Sequence, residues 1–120
     1  MSRILIIDDD QALLEMLREV LEESDNLVLL ASNAKQGLNL FEETKPDLVV
    51  IDIIMPGLDG FELLRRFKES GQNFKSVVLT GLNDERGREQ AEALVADQYL
   101  VKPIDLEKFK GIIQDLLQHS

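Results

Sequence analysis

Three aspartates, a threonine and a lysine stand out because each closes a short apolar run. Ile4–Ile7 precede Asp8 and Asp9, Leu48–Ile51 precede Asp52, Val77–Leu79 precede Thr80, and Leu100 with Val101 precedes Lys102. Neighbouring carboxylates suit a hard divalent cation such as Mg2+, which takes oxygen ligands, and Mn2+ fits the same donors. Asp9 and Asp52 read as direct ligands, with Asp8 acting directly or through a water. Close carboxylates repel one another, so some of their pKa values should rise unless a cation neutralises them. A carboxylate held against such a cation is also a nucleophile toward phosphorus and yields an acyl phosphate. Thr80 could donate a hydrogen bond to one phosphoryl oxygen, and Lys102 could pair with another as a point charge. Phosphoryl transfer needs just this positioning and charge stabilisation.

Each residue also has a plain structural reading. Asp8, Asp9 and Asp10 could cap the helix that follows. Thr80 alone is an ordinary strand-end hydroxyl, and Lys102 alone an ordinary surface lysine. Asp52 has no cap or turn role in view and precedes Ile53-Ile54-Met55, where an uncompensated acid is costly. Recurrence at strand ends favours the functional reading, because in open α/β sheets ligands bind beyond the carboxyl ends of the strands.

The elements that would position these residues alternate. Ile4–Ile7 reads as a strand buried on both faces. Leu13, Leu17, Val20 and Leu21 recur at helical spacing, which predicts a helix over about 11–23. Leu27–Ala31 is a second strand, and Ser32 or Asn33 caps a helix with Ala34, Leu38 and Phe41 inward. Pro46 ends that helix, and Leu48–Ile51 is the third strand. After the loop Met55-Pro56-Gly57-Leu58, Asp59 with Glu62 resembles a capping box for a helix using Phe61, Leu64 and Phe67. Ser76–Leu79 is a fourth strand. The segment about 84–95 is a poor, Gly87-interrupted helix, and Gln98–Val101 is a fifth strand. Asp105 caps a last helix striped by Leu106, Phe109, Ile112, Ile113, Leu116 and Leu117. This order is (βα)5, an α/β fold with a doubly wound, five-stranded parallel sheet and helices on both faces.

The chain has 120 residues, 44% of them hydrophobic, which suits one domain over residues 1–120 with a real core. No Cys is present, as expected of a cytoplasmic protein. No apolar run approaches the ~20 residues that span a bilayer, so no membrane partner is expected. The opening MSRILIIDDD does not read as a signal peptide. A formal net charge of -10 argues against direct nucleic-acid binding. His119 is assigned no role.

Four stretches, in order and nearly spanning the chain, resemble response-regulator receiver domains, the phosphoacceptor half of two-component signalling. ILIIDDD resembles the family's first strand and acidic pair, and DLVVIDIIMPGLDGFELL its phosphorylation-site segment. VVLTG resembles the fourth strand with its switch hydroxyl, and QYLVKPI the fifth strand with its aromatic residue and Lys-Pro. The resemblance implies a flavodoxin-like strand order, 2-1-3-4-5. It implies that Asp52 takes a phosphoryl group from the phosphohistidine of a sensor histidine kinase or histidine phosphotransfer protein. It implies Asp8, Asp9 and Asp52 as the Mg2+ site, completed by the backbone carbonyl of Ile54. Thr80 and Tyr99 match the switch pair, Lys102 the phosphate-sensing lysine, and Gly81 the small residue that leaves access. The protein is then a phosphoacceptor that assists its own phosphorylation and dephosphorylation, not an enzyme. Its switching face, made by the segment 84–95, the fifth strand and the last helix, would meet a downstream target or an output domain.

This sequence departs from the family at Ile104, where Phe is commoner, and at Val95-Ala96, where Gly-Ala is usual. Ile54 and Leu82 are apolar at two positions flanking the pocket. The Lys102–Pro103 bond is expected to be cis, which for X-Pro costs only about 0.5–1 kcal/mol. The alternative is a small phosphatase of haloacid-dehalogenase type, in which Asp8 of Asp8-Asp9-Asp10 is the nucleophile. Against it, the length leaves little room for a substrate cap, and Asp52 would lack a role.

Overall fold

A strand in the middle of a parallel sheet is covered on both faces, so its sequence runs apolar without alternation. Ile4–Ile7, Leu48–Ile51 and Val77–Leu79 have that character, and all are wholly buried. The computed structural model describes residues 1–55, 58–81, 89 and 96–118. Its elements are β1 (Ser2–Ile7), α1 (Gln11–Glu22), β2 (Asn26–Ala31), α2 (Ala34–Thr44), β3 (Leu48–Asp52), β4 (Ile54–Met55), β5 (Leu58–Asp59), α3 (Gly60–Glu69), β6 (Lys75–Thr80), β7 (Gln98–Val101) and α4 (Leu106–Gln118). The main sheet runs β2-β1-β3-β6-β7, every pair parallel. With the short antiparallel pair β4–β5 set aside, this is the expected order 2-1-3-4-5.

Alternate residues of the central strands serve two separate cores. Leu5, Ile7, Val49, Ile51 and Val78 pack with Phe41 of α2 and with Leu63, Leu64 and Phe67 of α3. Ile4, Ile6, Leu48, Val50, Val77 and Leu79 pack with Leu14, Leu17 and Leu21 of α1 and with Phe109 and Ile113 of α4. Each such side chain taken out of water contributes about 1.5–3 kcal/mol. The first core is closed by aromatic contacts. Phe41 stacks on Phe67 with ring centres 4.0 Å apart, and Phe74 meets Phe41 edge-on at 5.3 Å.

Several expected elements shift by a residue. The α1 stripe is Leu14, Leu17 and Leu21, with Leu13 and Val20 half-buried at its margins. In α3, Leu63 is buried and Phe61 half-buried, because the helix starts at Gly60 and turns Leu63 inward. The caps follow expectation. Asp10 Oδ1 accepts the Leu13 N–H at 3.1 Å, Asn33 Oδ1 the Gln36 N–H at 2.9 Å, and Asp105 Oδ1 the Lys108 N–H at 3.2 Å. Because Asp10 takes the capping role, Asp8 and Asp9 are left for other work. The pair β4–β5 was not expected, and its register sets Ile54 beside Asp59. Pro56, Gly57, the Asp59 side chain, Leu82, the segment 84–95 apart from Glu89, and His119 lie outside the described residues.

Gly60 holds the start of α3 against the end of β3. Its N–H donates to the Ile53 carbonyl at 3.2 Å, and a Cβ there would stand 2.5 Å from Ile53 Cα and 2.6 Å from the Asp52 carbonyl oxygen. Backbone atoms cannot yield as a side-chain tip can. Gly60→Ala should therefore destabilise the protein by about 1–3 kcal/mol in urea unfolding, the usual cost of overpacking.

Candidate functional site

Register brings the acids together before any side chain is considered. Ile7 stands beside Ile51 in the β1–β3 pair, so Asp8 and Asp52 follow as neighbours on adjacent strands. Asp52 stands beside Leu79, and Thr80 beside Val101, which places Lys102 one residue beyond. Main-chain bonds carry the ladder past the strand ends. The Asp8 N–H donates to Ala31 (3.0 Å), the Ile53 N–H to Leu79 (3.2 Å) and the Lys102 N–H to Thr80 (2.7 Å).

The side chains converge as the strand ends do. One oxygen each from Asp8, Asp9 and Asp52 lies within 4.8 Å of the others. Asp8 and Thr80 are fully buried, Asp52 is 5% exposed, and Asp9 is open to solvent. Asp8 Oδ1 accepts the Asp10 N–H at 2.9 Å, and Asp52 Oδ1 accepts the Ile54 N–H at 2.9 Å. The Lys102 ammonium donates to Asp52 Oδ2 at 2.8 Å and stands 2.9 Å from Asp8 Oδ2. Toward Asp8 its contact is one of charge, because Asp8 Oδ2 is buried and accepts no hydrogen bond of good geometry. The Lys102–Pro103 bond is cis, as expected.

Electrostatics follow from this arrangement. Burial pushes the Asp8 carboxyl above the usual range, and the Asp52 charge adds to the rise. The Asp10 N–H and the Lys102 ammonium oppose it without cancelling it. Burial alone would lower Lys102, but the hydrogen bond to Asp52 and the charges of Asp8 and Asp52 outweigh it and leave the ammonium more basic than usual. A buried, orphaned carboxylate oxygen beside two further carboxylates is an all-oxygen donor set, and it fits a hard divalent cation.

The remaining expected residues are placed as follows. Tyr99 stands beside Val78 on β7, half-buried against the core of α2 and α3. Ile54 is 62% exposed, with its N–H tied to Asp52. Gly81 follows β6 directly and is exposed. Sequence reasoning passed over Gly60, whose only signal was an Asp-Gly pair after a buried strand.

A profile of the response regulator receiver domain matches residues 4–114. The chain belongs to the response-regulator receiver domain family. Over 118 residues it is 36% identical to response regulator MprA of Mycolicibacterium vanbaalenii, covering 98% of this chain and 51% of that protein. An uncharacterised 14.6 kDa protein of Leptolyngbya boryana is 39% identical over 113 residues, covering 92% of this chain and 86% of that one. A response regulator receiver domain protein from Clostridium thermocellum superposes with a TM-score of 0.90 at 31% identity, covering 99% of this chain and 96% of that one. The chain thus spans about half the length of MprA. Receiver domains are signalling domains of two-component systems that bind Mg2+ at an acidic pocket, and Asp8, Asp9 and Asp52 form such a cluster here. No helix among the described residues is long and apolar enough to cross a membrane.

The raised pKa of Asp8 makes a stability statement. A carboxyl whose folded value exceeds its unfolded value favours folding while protonated. That contribution is complete below the unfolded value and is lost as pH rises through the folded one. At neutral pH the buried, ionised Asp8 therefore costs stability that Lys102 only partly offsets. Asp8→Asn should raise the Tm of the metal-free protein at pH 7 by about 3–6 °C, equivalent to about 1 kcal/mol in a domain of this size. The gain should shrink as pH falls into the carboxylate range, where wild-type Asp8 is itself neutral; calorimetry across that range measures it.

Proposed function

We propose that residues 1–120 form one phosphoacceptor domain in which Asp52 receives a phosphoryl group from the phosphohistidine of a sensor histidine kinase or histidine phosphotransfer protein. The observation that carries this reading is the Lys102 ammonium lying between Asp52 Oδ2 and the buried Asp8 Oδ2. A cation at that place faces the oxygens that a phosphoryl group would bring.

Asp52 Oδ2 is the attacking atom. Its electron pair forms the new P–O bond while the P–N bond breaks and the imidazole nitrogen keeps the departing pair. Lys102 then turns from the carboxylate to a phosphoryl oxygen, and the Thr80 hydroxyl donates to another. The Ile54 N–H holds Asp52 Oδ1 and so fixes the carboxylate plane. Asp8, Asp9, Asp52 and the Ile54 carbonyl would hold Mg2+, with Mn2+ as a substitute. When bound, the ion supplies charge neutralisation for the acids and for the incoming phosphoryl oxygens. Asp8 as a phosphatase nucleophile fits less well, since it is fully buried whereas Asp52 keeps some exposure.

The new acceptor would draw Thr80 inward, and Tyr99 would follow toward the core. The surface around β7 and α4, with the segment 84–95, would then change for a downstream target or an output domain. The family and the acidic charge support a cytoplasmic signalling protein that binds neither nucleic acid nor membrane directly.

Acetyl phosphate with Mg2+ should add one phosphoryl group, read by intact-protein mass, and Asp52→Asn should abolish the gain. An unchanged gain in that variant would defeat the assignment. Asp9→Ala should weaken Mg2+ binding at least about tenfold in titration calorimetry, a loss of about 1.4 kcal/mol. Equal affinity would remove Asp9 from the ligand set.

A further inference from the structure

Lys102 is also held from the opposite end of its strand. Asp97 immediately precedes β7 and stands opposite Ser76 of β6. Its N–H donates to the Ser76 carbonyl at 2.9 Å, and its carboxylate Oδ2 accepts the Ser76 N–H at 2.7 Å. The Ser76 hydroxyl, on a fully buried residue, lies 3.4 Å from the same oxygen. The N–H of the second residue of β6 thus finds an acceptor where the neighbouring strand begins.

The same closed pair occurs at the centre of the sheet. Asp47, just before β3, donates its N–H to the Arg3 carbonyl at 2.8 Å, and its Oδ2 accepts the Arg3 N–H at 2.7 Å. The two clasps share their chemistry but not their setting. β3 lies between β1 and β6, and each of its residues is buried, so side-chain packing sets its register many times over. Among the described residues, β7 is a four-residue edge strand paired with β6, and none of its residues is fully buried. Only Tyr99 and Leu100 of β7 pack against the cores, so fewer side chains fix its register than fix that of β3, and a slip of one residue turns every side chain to the other face.

We propose that Asp97 is the positioning residue for Lys102. Its clasp on Ser76 sets the register of β7, and that register delivers the ammonium to Asp52 and Asp8 from about 16 Å along the strand. The importance of this placement rests on the reading of Lys102 as a participant at the phosphoacceptor site. Asp47 makes the same contact where register is secured by other means, so it serves stability alone.

The test compares Asp97→Ala, Asp97→Asn and Asp47→Ala. Amide exchange of Lys102, whose N–H donates to Thr80, is measured against that of the buried Val50 in β3. Asp97→Ala should speed Lys102 exchange at least about tenfold relative to Val50, as expected for loss of a charge-assisted hydrogen bond. Asp97→Asn keeps an acceptor oxygen and should restore most of the protection. Asp47→Ala should lower Tm without changing that ratio. In phosphoryl uptake from acetyl phosphate with Mg2+, Asp97→Ala should be slow, and adding Lys102→Ala should make it no slower than Lys102→Ala alone. If Lys102 exchange rises no more than that of Val50, or if the two substitutions add in full, Asp97 does not act through Lys102. If exchange responds as expected but the wild-type protein takes up no phosphoryl group, the clasp stands and the phosphoacceptor reading falls.

Discussion

Two carboxylates on adjacent parallel strands stand together at the rim of a dry sheet, with one ammonium between them. Charge repulsion and desolvation both oppose this arrangement, and Lys102 is what makes it tolerable. The contact is lopsided. Asp52 Oδ2 receives a directed hydrogen bond, whereas Asp8 Oδ2 receives charge without one. The three carboxylates outnumber the one ammonium, and any species bringing positive charge to Asp8 would relieve the excess. That property suits the cluster to a divalent cation, the kind of ion receiver domains bind at an acidic pocket.

The rest of the fold serves to bring strand ends to one line. Central strands that are apolar on both faces bury into two cores, so their register has no freedom, and Asp8 and Asp52 are fixed by it. Asp10 takes up the helix cap, which releases the two preceding acids from local duty. Gly60 lets α3 begin directly against the Asp52–Ile53 backbone, where no side chain fits. At the sheet edge the same logic weakens. Among the described residues β7 has one neighbouring strand and no fully buried residue, and Lys102 depends on hydrogen bonds at either end of that strand.

Much of this could be read from residue order. Continuous apolar runs marked the central strands, and Asn33 and Asp105 marked helix starts, because these signals act within a few residues of themselves. Features that depend on a distant neighbour were not legible. The α1 stripe centres on Leu14 and not Leu13, because packing against the sheet sets helix rotation more finely than periodicity does. Phe74 completes an aromatic cluster with Phe41 and Phe67 from outside any regular element. Asp47 and Asp97 carry no local signal, because their partners lie 44 and 21 residues away.

Residue order carries the alternation of strand and helix and the residue types at the strand ends, and with them the family. It does so because burial pattern and local hydrogen bonding are properties of short stretches. Only the tertiary structure decided which acid is buried and which is open, and that Lys102 bridges Asp8 and Asp52 but bonds well to one of them. It alone set the Asp97 carboxylate on the Ser76 N–H at the far end of the edge strand. Those outcomes arise from strand pairing across the chain, which sets the angle at which Lys102 approaches each carboxylate, at 2.8 Å for Asp52 and 2.9 Å for Asp8.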